Sequence, residues 1–473
     1  MQTWLRRKSI DRVTDHEEGR QLKRTLSWPH LIALGIGAIV GTGIYTLIGV
    51  GANLAGPAVL LSFAVAGLVC ACAALAYAEM ATMMPAAGSA YTYSYIVLGE
   101  SIAWIVGWSL ILEYSLVVSA VAVGWSGSVV EFLAGIGVQI PAALAGGPHA
   151  GGIVNLPAVL IVFVVAGVLM VGTRESATLN AALVAVKIIA LGVFVAIALP
   201  HFDAAKLDPF MPFGFVKSMG ADGIERGVMA AAAIIFFAFY GFDAISTAAE
   251  ETKNPERDLS IGIIGSMVGC TIIYMVVALT AVGALSYTLF AQSPAPLALI
   301  MRELGQGTAA GIVSGAAVVA LPTVLLAFFY GQSRIFFVMS RDGLLPRGLS
   351  KVSPRTGTPI KTTLFTAVLV AALAGVARLD EIAALANAGT LAAFIAVSVC
   401  LLVLRKREPN RKRLFRTPLA WVVGPIAIFG CLYLFWSLPQ RTQLWFLVWN
   451  GLGVIAYLAY GRRNSLLGRA QDA

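Results

Sequence analysis

Charge is what this sequence has least of. Asp, Glu, Lys and Arg together make up 12% of its 473 residues, about half the share carried by a soluble globular domain, which excludes a water-facing surface of ordinary composition. Histidine is nearly absent: His16, His30, His149 and His201 lie at the ends of apolar runs or between them, and none suggests a zinc site or a catalytic histidine. The five cysteines, Cys70, Cys72, Cys270, Cys400 and Cys431, fall inside apolar runs with neither metal-ligand spacing nor a disulfide framework, so they read as small core residues. No nucleophile–base pair or phosphate loop appears, and no connecting stretch is long enough to house a soluble domain. An enzyme is not expected, and neither is a cofactor or a metal. The basic leader "LRRKSIDRVTDHEEGRQLKR" has no small-residue cleavage site after an apolar core, so no removed signal peptide is expected.

What fills the chain instead is hydrophobicity, at 59% of residues with a mean hydropathy of +0.85. Apolar stretches near the ~20 residues needed to cross a bilayer recur twelve times, at about 29–50, 57–83, 98–131, 155–171, 179–200, 227–250, 260–286, 308–340, 360–377, 381–404, 419–437 and 442–460. The runs are continuous rather than alternating. A helix satisfies its own backbone groups, so helices are favoured over a barrel, and the expected class is an all-α integral membrane protein with twelve transmembrane helices. With the N-terminus inside, 26 of the 33 Lys and Arg fall in inner segments and six in outer ones, while Lys187 stands inside a run. That bias predicts both termini in the cytoplasm. It also accounts for the net charge of +9 without nucleic acid as a partner.

A shift of about 198 residues lays the first run on the sixth, with Gly43 on Gly241, and the fifth on the tenth. Because five spans is an odd number, the second copy enters the membrane from the opposite side, as in inverted-repeat transporters. The first run contains "GIGAIVGTGIY" at residues 35–45, four glycines where glycine is a poor helix former. A dinucleotide fingerprint is excluded, because "GIGAIV" ends on valine and follows no strand. A packing seam remains a rival, since Gly37 and Gly41 form G-x-x-x-G. The partner segment "FFAFYGFDAIST", residues 236–247, also carries a mid-run glycine, followed by an acid. Two breaks in corresponding positions favour unwound helices whose free N–H groups, half-helix ends and carbonyls meet a carboxylate and an ammonium. A zwitterionic amino acid offers both.

The ordered segments "GIGAIVGTGIY", "YAEMATMMPAAGSAYTYSY" (77–95), "FYGFDAISTAAEETKNPERDLSIGI" (239–263) and "YGQSRIFFVMSRDGLLP" (330–346) resemble the amino acid-polyamine-organocation superfamily, and within it the cationic amino acid transporter family in its bacterial twelve-span form. The resemblance implies a five-plus-five inverted repeat of the leucine-transporter type with discontinuous spans one and six, and alternating-access transport. It implies that the substrate backbone is bound by Ile39, Gly41, Thr42 and Gly43 in span one and by Phe236, Ala238, Phe239 and Asp243 in span six. A further C-terminal pair of spans, found in longer members, is not expected.

Ionisable residues inside membrane runs are costly, and function is the default reading for them. Glu79 lies near the inner end of span two, where it either gates or fixes the following loop. Glu113, midway along "GWSLILEYSLVV", is either a satisfied packing carboxylate or a substrate-binding group that attracts a basic side chain. Asp243 is placed to cap the second half of span six and to line the site. Lys187, in "NAALVAVKIIALGVF", either anchors a carbonyl or couples transport to protons. The resemblance implies that it substitutes for a sodium ion between spans one and eight, beside carbonyls around Gly37 to Ile39 and the hydroxyl of Thr323.

The expected function is secondary active, proton-coupled symport of cationic and/or small neutral L-amino acids. The alternatives are an amino-acid exchanger and a membrane sensor that binds without appreciable transport. The expected segments are a basic tail over 1–28, a first repeat over 29–200, a second over 227–404, two further spans over 419–460 and a C-terminal tail over 461–473. The expected partners are an amino acid, protons and the lipid bilayer of the plasma membrane, a cell inner membrane in a Gram-negative bacterium, and a monomer satisfies all of these.

Overall fold

A computed structural model describes residues 6–10, 22–45, 47–135, 137–148, 151–220, 223–291, 293, 295–376 and 379–472. Each apolar run is helical. The helices are α1 Trp28–Ile39, α2 Leu47–Ala55, α3 Val59–Met83, α4 Ser89–Val97, α5 Glu100–Gly135, α6 Leu156–Val171, α7 Thr173–Ala198, α8 Val228–Ile235, α9 Asp243–Thr247, α10 Pro255–Ala284, α11 Pro296–Glu303, α12 Gly307–Arg341, α13 Ile360–Val376, α14 Leu379–Arg407, α15 Ala420–Trp436 and α16 Gln440–Ala456, with a few single turns between them. Among the described residues, eight helical segments are long and apolar enough to cross a membrane, and α1, α6, α13 and α15 are shorter apolar helices. The short helices α4 and α11 and a two-stranded hairpin pairing Ser218–Met219 with Glu225–Arg226 lie outside the apolar runs read from the sequence.

Helix ends follow local chemistry. Asn155 caps α6 by accepting from the Ala158 N–H at 3.2 Å, with Pro157 in the first turn where no donor is lost. Pro255 and Pro296 begin α10 and α11. Inside α12, Pro322 has no N–H and frees the carbonyl of Val318 four residues earlier. The indole Nε1 of Trp125 on α5 donates to that carbonyl at 3.0 Å, so the freed acceptor becomes a tie between helices.

α1 packs on α7, α10 and α12, and α5 packs along α12 and α14. The outer surface stays apolar, with Phe429, Trp436 and Ile189 among its exposed side chains. A contiguous apolar exterior of this kind is stable only against another apolar phase.

Buried ion pairs gather on one face, called here the basic face. Glu79, fully buried, accepts from Nε and Nη2 of Arg405 at 2.9 and 2.6 Å, Arg413 Nε at 2.9 Å and the Thr417 N–H at 2.7 Å. The segment these contacts hold is the one after α14, not the loop that follows α3 as the sequence reading had it. On the same face the chain before α1 runs beside the chain after α9: the Thr25 and Leu26 N–H groups donate to the Glu251 carbonyl, and the Lys253 N–H to Leu26.

Candidate functional site

The site is built where two helices stop in mid-membrane. α1 ends at Ile39, Val40 and Gly41 leave the helix, and a single turn resumes at Thr42. A helix C-terminus leaves carbonyls without intrahelical donors and carries a partial negative charge. Here three of them find partners from other helices. Lys187 Nζ on α7 donates to Gly37 O at 2.9 Å and to Val40 O at 2.5 Å, while Tyr274 OH on α10 donates to Ile39 O at 2.6 Å. Lys187, with no exposed surface, has a third partner, Thr323 Oγ1 on α12 at 2.7 Å. Three oxygens around one amine match the three donors of an ammonium. Thr323 follows Pro322 directly, and its own proton can go to Ala320 O at 2.6 Å or Gly37 O at 3.0 Å.

The second break mirrors the first. α8 tightens into a 3-10 turn over Phe236–Ala238, turns follow through Phe242, and α9 starts at Asp243. Gly241 adopts φ +121°, a conformation that a side chain would strain, and its N–H donates to Asp243 Oδ1 at 3.2 Å. The other Asp243 oxygen accepts from Tyr114 OH on α5. Tyr274 OH also reaches Ala238 O at 2.9 Å, so one hydroxyl spans both breaks.

The breaks touch each other reciprocally. A Cβ on Gly43 would lie 2.4 Å from Ala238 Cβ and 2.5 Å from its Cα, and one on Gly241 would lie 2.8 Å from Ala38 Cβ. Glycine of each break packs on an alanine of the other. Gly41 faces the Val324 side chain. The Gly37 and Gly41 pair does not form one seam, because Gly37 meets Asn180 of α7 and Gly41 meets α12. The side chain of Thr42 lies outside the described residues.

A second cluster lies between α3, α5, α12 and α14. Thr390 Oγ1 on α14 donates to Glu113 Oε1 at 2.6 Å, and Gly389 leaves room for the Glu113 stem. Glu113 Oε2 is buried with no hydrogen-bond partner among the described residues, as are the hydroxyls of Tyr77 and Tyr240. The rings form a continuous wall: Phe236 and Tyr77 each meet Phe394 edge-on, Phe236 is tilted against Tyr240, and Tyr240 and Tyr114 each meet Phe328 edge-on. Phe239 points elsewhere, against Phe63 and Tyr274. Lys187 and Thr323 thus sit together behind the first break, while Glu113 joins α14.

Beneath the breaks, towards the basic face, Arg334 holds Glu251 through Nε at 3.0 Å and Nη2 at 2.9 Å. Thr173 Oγ1 at 2.5 Å and Tyr330 OH also donate to Glu251. Neither ion nor carboxylate is more than 1% exposed. Alongside, Arg341 holds Glu250 at 2.8 and 2.6 Å. Sequence reasoning singled out none of Tyr274, Tyr114, Thr390, Glu251 or Arg334 as site residues. For the tyrosines one signal was available, since a buried tyrosine hydroxyl in an apolar run needs a partner.

Over residues 26–457 the chain matches the family described as amino acid permease. It is 45% identical over 468 residues to the branched-chain amino acid permease BcaP of Bacillus subtilis (strain 168), with 98% of each chain covered. It is 41% identical over 472 residues to the methylthioribose transporter of the same bacterium, covering 99% of this chain and 100% of that one. With the vacuolar cationic amino acid transporter 4 of Arabidopsis thaliana it shares 38% identity over 424 residues, 87% of this chain and 68% of that one. With a family match along nearly its whole length and relatives that are permeases and transporters rather than enzymes, this multi-pass membrane protein belongs to the amino acid permease family, within the amino acid-polyamine-organocation superfamily.

Proposed function

We propose that the protein is a proton-coupled secondary transporter that carries cationic and/or small neutral L-amino acids across the plasma membrane by alternating access. The observation that carries this reading is the placement of Lys187, whose amine ties α7 to the carbonyls of the first break and to Thr323 of α12. A neutral amine has two donors and a lone pair, so losing the proton turns charge-assisted hydrogen bonds to the Gly37 and Val40 carbonyls into weaker neutral ones and leaves the third contact to be remade with the Thr323 hydroxyl as donor. Proton release therefore loosens the helices that an inner gate must separate. The Glu251–Arg334 and Glu250–Arg341 pairs form that gate in this reading, with the basic face in the cytoplasm as the positive-inside rule requires.

In the same reading the eight long and four short apolar helices cross as twelve spans with both termini inside. Residues 29–200 and 227–404 form two inverted repeats, 419–460 adds two spans, and 1–28 and 461–473 are cytoplasmic tails. The reciprocal Gly43–Ala238 and Gly241–Ala38 contacts support a pseudo-two-fold axis between the repeats. The substrate backbone is placed at the breaks, against Ile39, Gly41, Thr42, Gly43, Phe236, Ala238, Phe239 and Asp243, and its side chain towards Glu113. Relatives named for branched-chain amino acids, methylthioribose and cationic amino acids indicate that substrate choice differs among proteins similar to this chain. Uptake into empty proteoliposomes with an imposed pH gradient, with and without sodium, tests the function. Accumulation that needs sodium overturns proton coupling, accumulation only after internal preloading gives an exchanger, and binding without accumulation gives a sensor.

Glu113 decides the substrate class. Glu113→Gln is expected to weaken arginine or lysine binding by about 1–3 kcal/mol, the range for a lost hydrogen bond to a charged group, with little change for alanine. Binding isotherms for the three amino acids check this. Equal losses for all three would implicate folding or proton handling, and unchanged affinities would remove Glu113 from the site.

Gly43 tests the breaks. The sequence alone predicts that Gly43→Val stays folded and loses binding because its side chain fills the carboxylate's space. The contact with Ala238 backbone changes that expectation, because the added carbons must push the two breaks apart. Overpacking of this kind costs about 1–3 kcal/mol, so binding and thermal midpoint are expected to fall together. A variant that melts like wild type and binds with wild-type affinity would show that the breaks do not hold the substrate.

A further inference from the structure

A narrow cleft enters the protein between α1, α7 and α12 on the side of the basic face. Its walls include His30 and Leu34 of α1, Ser176 and Asn180 of α7, and Leu326 and Tyr330 of α12. Leu34 lies one turn below Gly37 and Leu326 one turn below Thr323, so the cleft ends about one turn short of Lys187. Asn180 stands on the same face of α7 as Lys187, seven residues earlier, about 10 Å along the helix.

The carboxamide of Asn180 is only 2% exposed. Its Nδ2 donates to Ala33 O at 3.0 Å, which fixes the orientation of the group, while its Oδ1 has no hydrogen-bond partner among the described residues. That oxygen abuts Gly37, where a Cβ would lie 2.8 Å from it, and the Gly37 carbonyl is a ligand of Lys187. A buried acceptor left without a donor is costly, and a polar site opening on a cleft is where a water molecule meets that need.

We infer that the proton released by Lys187 leaves through this cleft, and that Asn180 Oδ1 positions a water on that route. The inference rests on the proton-coupling reading of Lys187. Once the contact with Thr323 Oγ1 opens, the N–H set free gives its proton to water as hydronium, leaving the neutral amine, and the proton passes along water in the cleft past Ser176 to His30 at its mouth. Asn180 accepts a hydrogen bond throughout and changes neither charge nor covalent structure, which makes it a positioning residue. The walls at Leu34 and Leu326 offer no ligand to a metal cation, so the polar groups along the route are those of Asn180, Ser176, Tyr330 and His30. The titratable groups facing the route are Tyr45 and Cys270 beside Lys187, and lower down Tyr330 and the Glu251–Arg334 pair, with His30 under Arg174 and Lys253 at the mouth.

The test compares wild type, Asn180→Leu and Lys187→Ala as full chains in proteoliposomes, with a radiolabelled amino acid that wild type accumulates. Three quantities are read: binding affinity, counterflow at equal pH on both sides, and accumulation under a pH gradient. Asn180→Leu is expected to bind and to run counterflow like wild type, while its pH-driven uptake slows about tenfold or more, equivalent to about 1.4 kcal/mol. Wild-type accumulation by Asn180→Leu, with Lys187→Ala inactive, overturns the route and leaves the Lys187 reading standing. Wild-type accumulation by Lys187→Ala overturns both. Parallel falls in counterflow and accumulation make Asn180 a plain structural anchor of α1 and also overturn the proposal. If Asn180→Leu does not fold, Ser176→Cys modified with a bulky thiol reagent decides, with the reagent-treated wild-type chain as control. Blocked pH-driven uptake after modification supports the route, and an unchanged rate overturns it.

Discussion

Lys187→Ala is expected to abolish proton-driven accumulation while the protein still binds its amino acid. The amine makes three hydrogen bonds, to Gly37 O, Val40 O and Thr323 Oγ1, and the proposed substrate groups lie on the other side of the same break. Removing it leaves Val40 O without its donor, Gly37 O with only the Thr323 hydroxyl to serve it, and a cavity about the size of a lysine stem. Truncating a buried long side chain to alanine costs about 2–5 kcal/mol, so the thermal midpoint is expected to fall as well, and binding must be measured at a temperature where the variant is folded. Lys187→Arg is expected to fail in a different way. A guanidinium stays protonated at any accessible pH, so the tie between α7 and α12 would form but not release. The measurement is radiolabelled uptake in proteoliposomes under an inward proton gradient, with and without sodium. Full pH-driven accumulation by Lys187→Ala would reduce Lys187 to a structural anchor.

Arg334→Leu is the substitution expected to cost the most stability. Arg334 and Glu251 are both buried, and they form two parallel hydrogen bonds at 3.0 and 2.9 Å with Thr173 and Tyr330 completing the carboxylate's shell. Charges taken from water recover their desolvation cost only when the geometry is this complete, and removing one partner strands the other. The expected loss is about 3–5 kcal/mol, read as a large drop in the thermal midpoint in detergent. Glu251→Gln combined with Arg334→Leu removes both charges and is expected to recover most of that loss, because an uncharged pair strands nothing. The double variant also tests the gate: with the tie gone, a cysteine at position 176 should react faster with a membrane-impermeant thiol reagent applied to the basic face. Arg334→Leu melting within error of wild type would show that the pair does not hold this face closed.

Much of the architecture was legible because its causes are local. Long uncharged runs cannot face water, the helix satisfies its own backbone in lipid, and clustered Lys and Arg mark the loops between runs. Glycine weakens a helix wherever it stands, so the interruptions at Val40–Gly41 and Phe239–Phe242 fall in the two segments that the sequence marks. α4 and α11 were missed because helices of nine and eight residues leave no run of membrane length. The role of Gly43 shifted for a different reason. Conformational freedom is a property of the residue itself, whereas the presence of Ala238 against it depends on a helix nearly two hundred residues away.

The sequence by itself determined the class of protein, the long apolar helices, the two breaks, and the short roster of ionisable groups buried among apolar residues. Those follow from hydropathy, charge distribution and backbone propensity, which act over a few turns. The tertiary structure alone decided what each buried group meets. Glu79 fixes the loop after α14, Glu113 meets Thr390, and one tyrosine hydroxyl bridges both breaks. It also placed Lys187 on the carbonyls of Gly37 and Val40. The partners of Lys187 and Glu113 lie 136 to 277 positions away along the chain. Which of them comes within hydrogen-bond distance depends on how the helices rotate and cross, and that is fixed by the packing of the whole bundle rather than by any local pattern.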